Sequence, residues 1–140
     1  MARDSILYVK SRRFASRIVK LHGYLLRSKD ETVIANQIVR SGTSIGANVA
    51  EALYAASRRD FLNKLTIALK ECSETIYWLD ILDDNGFLEA EGARSIKTDC
   101  EEIIKLLVST TKKLQESPTA YELHEAIDDF DNPLGEEECQ

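Results

Sequence analysis

The sequence predicts an all-α protein, an up-down-up-down antiparallel four-helix bundle over residues 1–116 that carries an acidic C-terminal tail over 117–140. Three observations predict it. Four segments repeat apolar residues at spacings of three, four or seven, which places them on one face of a helix. Only 6 Gly and 2 Pro occur in 140 residues, too few for a turn-rich β protein. No segment alternates apolar and polar residues with period two, and the connections are short, which favours antiparallel neighbours.

The elements follow in order. Leu7, Phe14, Ile18, Leu21 and Leu25 make the apolar stripe of a first helix over about residues 5–28. Ser28 with Glu31 fits an S-x-x-E capping box, so the second helix is expected to start near Ser28 or Asp30. Its stripe is Ile34, Ile38, Ile45, Val49, Ala52 and Ala56. Ser57, with Asp60 three residues on, is the cap candidate of the third helix, whose stripe runs Phe61, Leu65, Ala68, Cys72, Ile76, Leu79 and Leu82. Asp83-Asp84-Asn85-Gly86 is a stop signal, because Asn and Gly tolerate the left-handed conformation that ends helices. The fourth helix is expected from about Glu89 to Glu116, on Ile96, Cys100, Ile103, Leu107, Thr110 and Leu114, with Ser117-Pro118 ending it.

The net charge of −6 hides a strong asymmetry. Residues 1–70 hold 13 Lys+Arg against 5 Asp+Glu, and residues 71–116 hold 5 against 11. Residues 117–140 hold none against 8. A basic half therefore stands beside an acidic half and an acidic tail, and the overall charge does not exclude nucleic acid. Within the tail, Leu123, Ile127 and Phe130 are spaced i, i+4, i+7. The tail reads either as a solubilising extension or as a short amphipathic helix that docks. No long apolar run follows Met1-Ala2-Arg3-Asp4, and none approaches the length of a membrane span, so a cytoplasmic protein without a membrane partner is expected.

Catalytic chemistry finds little support. A di-iron bundle needs Glu-x-x-His on two helices, and neither His22 nor His124 has Glu three residues before it. The pair Glu71 and Glu74 has no histidine and reads as a solvated face, and Glu122, His124 and Glu125 sit in the acidic tail. Cys72 and Cys100 lie on apolar stripes, where Cys acts as a small hydrophobe, and Cys139 stands near the terminus. The three cysteines have no CxxC spacing. Gly42 and Gly46 follow no strand and lack a phosphate-loop pattern. A non-enzymatic chain is expected, with no catalytic residue, cofactor or metal site.

The unusual segment is Arg40 to Ala52. Two Gly inside a helix cost about 1 kcal/mol each relative to Ala, so something should offset them. Gly42, Gly46 and Ala50 form a strip without bulk against which another helix can approach closely. Beside it run Gln37, Arg40, Ser44, Asn48 and Glu51, either a polar network within or between subunits or an ordinary exposed face. Arg40, Gly42, Ser44, Gly46, Asn48 and Glu51 are thus the candidate interface or polar network. Arg12, Arg13, Arg17 and Lys20 on the first helix, with Arg58, Arg59, Lys64 and Lys70 on the third, are either solvated faces or one basic patch that would attract phosphate backbones. Of these, Arg12, Arg13, Arg17, Lys20, Arg58 and Arg59 are the candidate RNA contacts. The acidic tail would then shield that patch or imitate nucleic acid.

The run Ser44-Ile45-Gly46-Ala47-Asn48-Val49-Ala50-Glu51, followed by Ser57-Arg58-Arg59-Asp60-Phe61, resembles the bacterial four-helix-bundle proteins encoded within intervening sequences of 23S ribosomal RNA genes. Their pattern is S-I-x-x-N-I-A-E-G, then a Ser/Arg-rich junction and a Phe opening the third helix. Ser44, Ile45, Asn48, Ala50, Glu51 and Phe61 match, Val49 replaces Ile, and Gln37 to Arg40 looks like the family's Q-L-R-R element. Ala52 stands in place of the usual Gly, and Gly46 where a Pro is frequent, which extends the expected second helix through Ala56. The resemblance covers about residues 10–115. It implies a small homo-oligomer, with a pentamer favoured, and RNA or an RNA-bound enzyme as partner. The reading of the whole sequence is an oligomeric scaffold or adaptor that contacts RNA through its basic N-terminal half. The alternative is a protein–protein interaction module without nucleic-acid binding.

Overall fold

The computed structural model describes residues 5–116. These form four helices, α1 (Ile6–Ser28), α2 (Val33–Ala52), α3 (Arg58–Asp84) and α4 (Ala90–Gln115). No strand occurs among the described residues. Each helix packs on its neighbours in the order α1–α2–α3–α4, and α4 closes back on α1. The diagonal pairs α1–α3 and α2–α4 lie across the core from each other. Cross-helix contacts run in opposite senses along each adjoining pair. Lys10 meets Glu102 and Arg17 meets Asp99, so α1 and α4 are antiparallel.

The stripes close into one core. Phe14, Ile18, Leu25, Ile38, Ile45, Leu65, Leu79, Leu82, Ile103 and Leu107 are fully buried, together with Cys72 and Cys100. Leu21, Ile34, Phe61 and Ile76 from the expected stripes pack at its edge. Leu62, Ala93 and the hydroxyl residues Ser11, Ser41 and Thr75 are buried as well, which the stripes did not indicate.

Helix ends follow local chemistry. Ser5 caps α1 by accepting from the Tyr8 N–H (3.2 Å). At the other end of α1, Asp30 takes a left-handed φ of 51°, and the Glu31 N–H reaches back to the Leu25 carbonyl (3.1 Å). The expected Ser28 capping box is not formed, because Ser28 is still the last residue of α1. Glu31 caps α2 instead. Its carboxylate, one residue before the N-cap Thr32, accepts from the N–H groups of Ile34 (3.0 Å) and Ala35 (2.9 Å).

The second helix also stops earlier than expected, at Ala52 rather than Ala56. Tyr54 and Ala55 donate to the carbonyls three residues back, and the Asp60 carboxylate accepts from the Ala56 N–H (3.1 Å). The start of α3 thus takes the backbone that a longer α2 would need. Ser57 caps α3 as expected, accepting from the Asp60 N–H (3.0 Å). Asp83 to Gly86 ends α3 as the sequence implied. Gly86 has φ of 76°, and the Gly86 and Phe87 N–H groups bond the carbonyls of Asp83 and Leu82.

Gly42 and Gly46 are used inside the chain. A Cβ at Gly42 would stand 2.8 Å from both Cγ atoms of the fully buried Ile18, and one at Gly46 would stand 3.2 Å from the Ser11 carbonyl oxygen. All three atoms belong to α1, so the strip without bulk brings α1 against α2. Across the other face of α2, the Ser41 and Thr75 hydroxyls share a hydrogen bond of 2.9 Å in the buried α2–α3 interface.

Two stability outcomes follow. Gly42→Ala should cost about 1–3 kcal/mol through overpacking on Ile18, despite the better helix propensity of Ala. Gly92→Ala, at a helical site with nothing within 4 Å of the added Cβ, should gain up to about 1 kcal/mol. Denaturant midpoints of the two variants should therefore move in opposite directions. At the α2–α3 interface, Thr75→Val removes the hydroxyl that donates to Ser41 while Ser41 keeps the Ile38 carbonyl (3.4 Å), and should cost about 0.5–1.5 kcal/mol. A double-mutant cycle with Ser41→Ala should show the pair costing less than the sum of the single changes.

Candidate functional site

The polar strip of α2 faces α3. Arg40 reaches two carboxylates of α3, Glu71 (3.5 Å) and Glu74. Glu74 also accepts from the Trp78 indole N–H (3.3 Å). Glu51 pairs with Lys64 (2.9 Å), and this holds the ammonium of Lys64 above its ordinary pKa. Ser44 and Asn48 turn inward on their own helix: the Ser44 hydroxyl donates to the Arg40 carbonyl (2.6 Å), and the Asn48 amide to the Ser44 carbonyl (2.8 Å). Arg40 and Glu51 thus tie α2 to α3 within one chain, whereas Ser44 and Asn48 bond only the backbone of their own helix. Gly42 and Gly46 lie on the side of the helix that meets α1.

The cations of α1 divide into two sets. Arg17 pairs with Asp99 (2.7 Å) and Lys10 with Glu102 (2.7 Å), both across to α4. The pairing with Lys10 holds the Glu102 carboxyl below its usual range. Arg12, Arg13, Lys20 and Arg27 are exposed, and none of them makes an ion pair among the described residues. Arg58 and Arg59 are exposed at the start of α3, the helix diagonal to α1. The expected single patch across the first and third helices therefore does not form on adjoining helices. Lys64 is committed to Glu51, and Lys70 is exposed.

A groove runs along the α1–α4 side, the least closely packed of the four adjoining pairs. Its larger hollow, about 420 Å³, is lined by Arg17, Lys20, Leu21, Tyr24, Leu88, Glu89, Gly92 and Ile96. A second hollow of about 280 Å³ shares Arg17 with it and includes Lys10, Arg13, Phe14, Asp99 and Glu102. No local pattern announces this groove, because its walls come from helices at opposite ends of the chain.

Other candidates resolve simply. Cys72 and Cys100 are buried thiols in the core, and hydrogen bonding with Cys100, then burial, push the Cys72 thiol far up from its ordinary value. His22 bonds the Asn36 side chain (3.0 Å) between α1 and α2. Among the described residues no group of three or more His, Cys, Asp or Glu is placed to hold a metal ion. None of their helices is long and apolar enough to cross a membrane. The cluster Glu122, His124 and Glu125, Cys139, and the tail stripe lie outside the described residues.

The family model described as 23S rRNA-intervening sequence protein matches residues 3–109. The chain belongs to that family. The match covers α1 to α3, with the Gly42–Gly46 strip and Arg40, and most of α4. Among solved structures it is similar to a protein with unknown function from the S23 ribosomal protein family of Bacteroides thetaiotaomicron. The two are 50% identical with a TM-score of 0.76, over 76% of this chain and 99% of that one. No curated protein matches.

The intervening-sequence family member described here also has an α3–α4 clamp that reports on pH. Lys97 bridges Asp83 and Asp80 (both 2.9 Å), and these bonds, Asp83 first, raise its pKa above the ordinary 10.5. A raised lysine stabilises the fold below its unfolded pKa and loses that contribution as pH climbs through the folded one. The destabilisation caused by Lys97→Met should therefore be constant from neutral pH up to about 10 and shrink above it, as read from unfolding midpoints.

Proposed function

We propose that this family member is a non-enzymatic, self-associating scaffold or adaptor of the cytoplasm, with the pentamer favoured, that contacts RNA through the outward basic face of α1. The observation that carries the reading is the division of its cations. Arg17, Arg40, Lys64 and Lys97 are spent on ion pairs that hold helices together, whereas Arg12, Arg13, Lys20 and Arg27 stand exposed on one helix without such pairs among the described residues. Unpaired cations on a rigid helix attract a phosphate backbone without reading its sequence, and they release counterions on binding. The family's description connects it to 23S rRNA, which supports RNA as the polyanion. An RNA-bound enzyme is the other partner that fits an adaptor of this kind.

A gel shift with a 23S rRNA fragment that contains an intervening sequence tests the RNA contact. Binding should weaken steeply as salt rises, and Arg12→Ala/Arg13→Ala/Lys20→Ala should abolish it while the unfolding midpoint stays near wild type. Lys70→Ala, on α3, should leave it unchanged. Absence of a shift at low salt overturns the RNA contact and favours a protein–protein module. Light scattering that shows a monomer overturns self-association.

A further inference from the structure

The basic face of α1 is interrupted by one aromatic ring. Arg13, Arg17, Lys20, Tyr24 and Arg27 recur at spacings of three and four along one side of the helix. Arg17 is neutralised by Asp99 of α4, whereas Arg13, Lys20 and Arg27 are exposed and outside the ion pairs of the described residues. Lys20 precedes Tyr24 and Arg27 follows it, each by about 5 Å along the axis. Gly23 brings the second of these cations nearer. A Cβ there would stand 2.8 Å from one terminal nitrogen of Arg27 and 3.0 Å from the other, so the bare backbone lets the guanidinium lie back along α1 toward Lys20.

Tyr24, 38% exposed, also borders the larger hollow between α1 and α4. The apolar wall of that hollow is Leu21, Leu88 and Ile96. Gly92 faces it from α4. Among the described residues four glycines lie within helices. Atoms of α1 take the room beside Gly42 and Gly46, and Arg27 takes that beside Gly23. The room beside Gly92 is empty and adjoins the hollow. A helix thus carries a poor helix former where the chain itself makes no use of the space.

We propose that the RNA taken by this face is single-stranded, with one unpaired base entering the hollow and stacking on Tyr24 while its flanking phosphates lie on Lys20 and Arg27. The inference rests on the RNA contact proposed above and names the class of RNA. Sites for single strands pair a cationic track with an aromatic ring, because every base offers a flat π-face and every step a phosphate. A duplex keeps its bases stacked inside and would use the cations of α1 while leaving Tyr24 idle. The hollow, about 420 Å³, has the size of clefts that hold small organic rings. Glu89, the one acid of its lining, comes from the α4 side, away from the cations. There it meets the edge of the base, whose N–H groups a carboxylate accepts.

Fluorescence polarisation with the full chain tests this, using labelled oligouridylate and an oligoadenylate–oligouridylate duplex of equal length. Charge alone favours the duplex, with its denser phosphates, so tighter binding of the single strand reports the base. Tyr24→Leu should weaken the single strand about tenfold and leave the duplex and both salt slopes unchanged, because no phosphate contact is lost. Tyr24→Phe keeps the ring and should keep the affinity. Gly92→Leu fills the hollow from α4 and should weaken the single strand alone, with an unfolding midpoint no lower than wild type. Oligouridylate carrying 5-iodouridine should crosslink to Tyr24 under light. If neither RNA binds at low salt, the RNA contact and the stacked base fall together. Equal or weaker binding of the single strand, an unchanged affinity in Tyr24→Leu, or equal weakening of both RNAs by it overturns the stacked base and leaves the RNA contact standing.

Discussion

The structure depends on the closeness of α1 to α2 at Gly42 and Gly46. There the surface of α2 is reduced to backbone, so Ile18 and the main chain around Ser11 can press against it. A helix that carries side chains at both positions would stand farther off, and dispersion contacts weaken sharply across such a gap. The opposite side of α2 is held differently, by the buried Ser41–Thr75 hydrogen bond and by Arg40 and Glu51 at the rim. With α2 fixed on both sides, α1, α2 and α3 form a tight group, and α4 completes the ring against α3 more closely than against α1.

That asymmetry sorts the charged residues. Where helices adjoin, basic and acidic side chains face each other and neutralise the rims, as Arg17 does with Asp99 and Lys97 does with Asp80 and Asp83. Such exposed pairs add little net stability individually. Their effect here is on register and on which cations remain outside. What is left over on α1 among the described residues, Arg12, Arg13, Lys20 and Arg27, is concentrated on one helix next to the loosest seam. Charge and groove are therefore neighbours because both follow from how α1 is packed.

Much of this was legible in the sequence, and the reasons differ by element. The four helices follow from apolar spacing, and Ser57 and Asn85-Gly86 mark ends whose chemistry is local. The Gly42–Gly46 strip announced itself by its cost within a helix, although not which helix it would meet. The start of α2 was misplaced because Glu31 caps from one residue outside the usual position. Its end was misplaced because Asp60, eight residues on, claims the Ala56 N–H. Thr75 reads as a polar break in a stripe until Ser41 is set opposite it. Arg17 looks equivalent to Arg13 along the chain, and only the α1–α4 register, which brings residue 99 to residue 17, separates them. Pairings across seventy or more residues are not written in any local pattern.

The order of the ring has a consequence for how the chain reaches it. Three of the four helix interfaces join consecutive helices, so each can form as a local hairpin with a short loop to close. The α1–α4 interface alone joins the two ends, and it can form only after about a hundred residues are in place. During synthesis α1, α2 and α3 can associate while α4 is still being made, leaving one side of the core waiting for a partner. The seam that closes last is also the one most sparsely packed, so it belongs at the low end of local stability, where a folded protein opens before it unfolds.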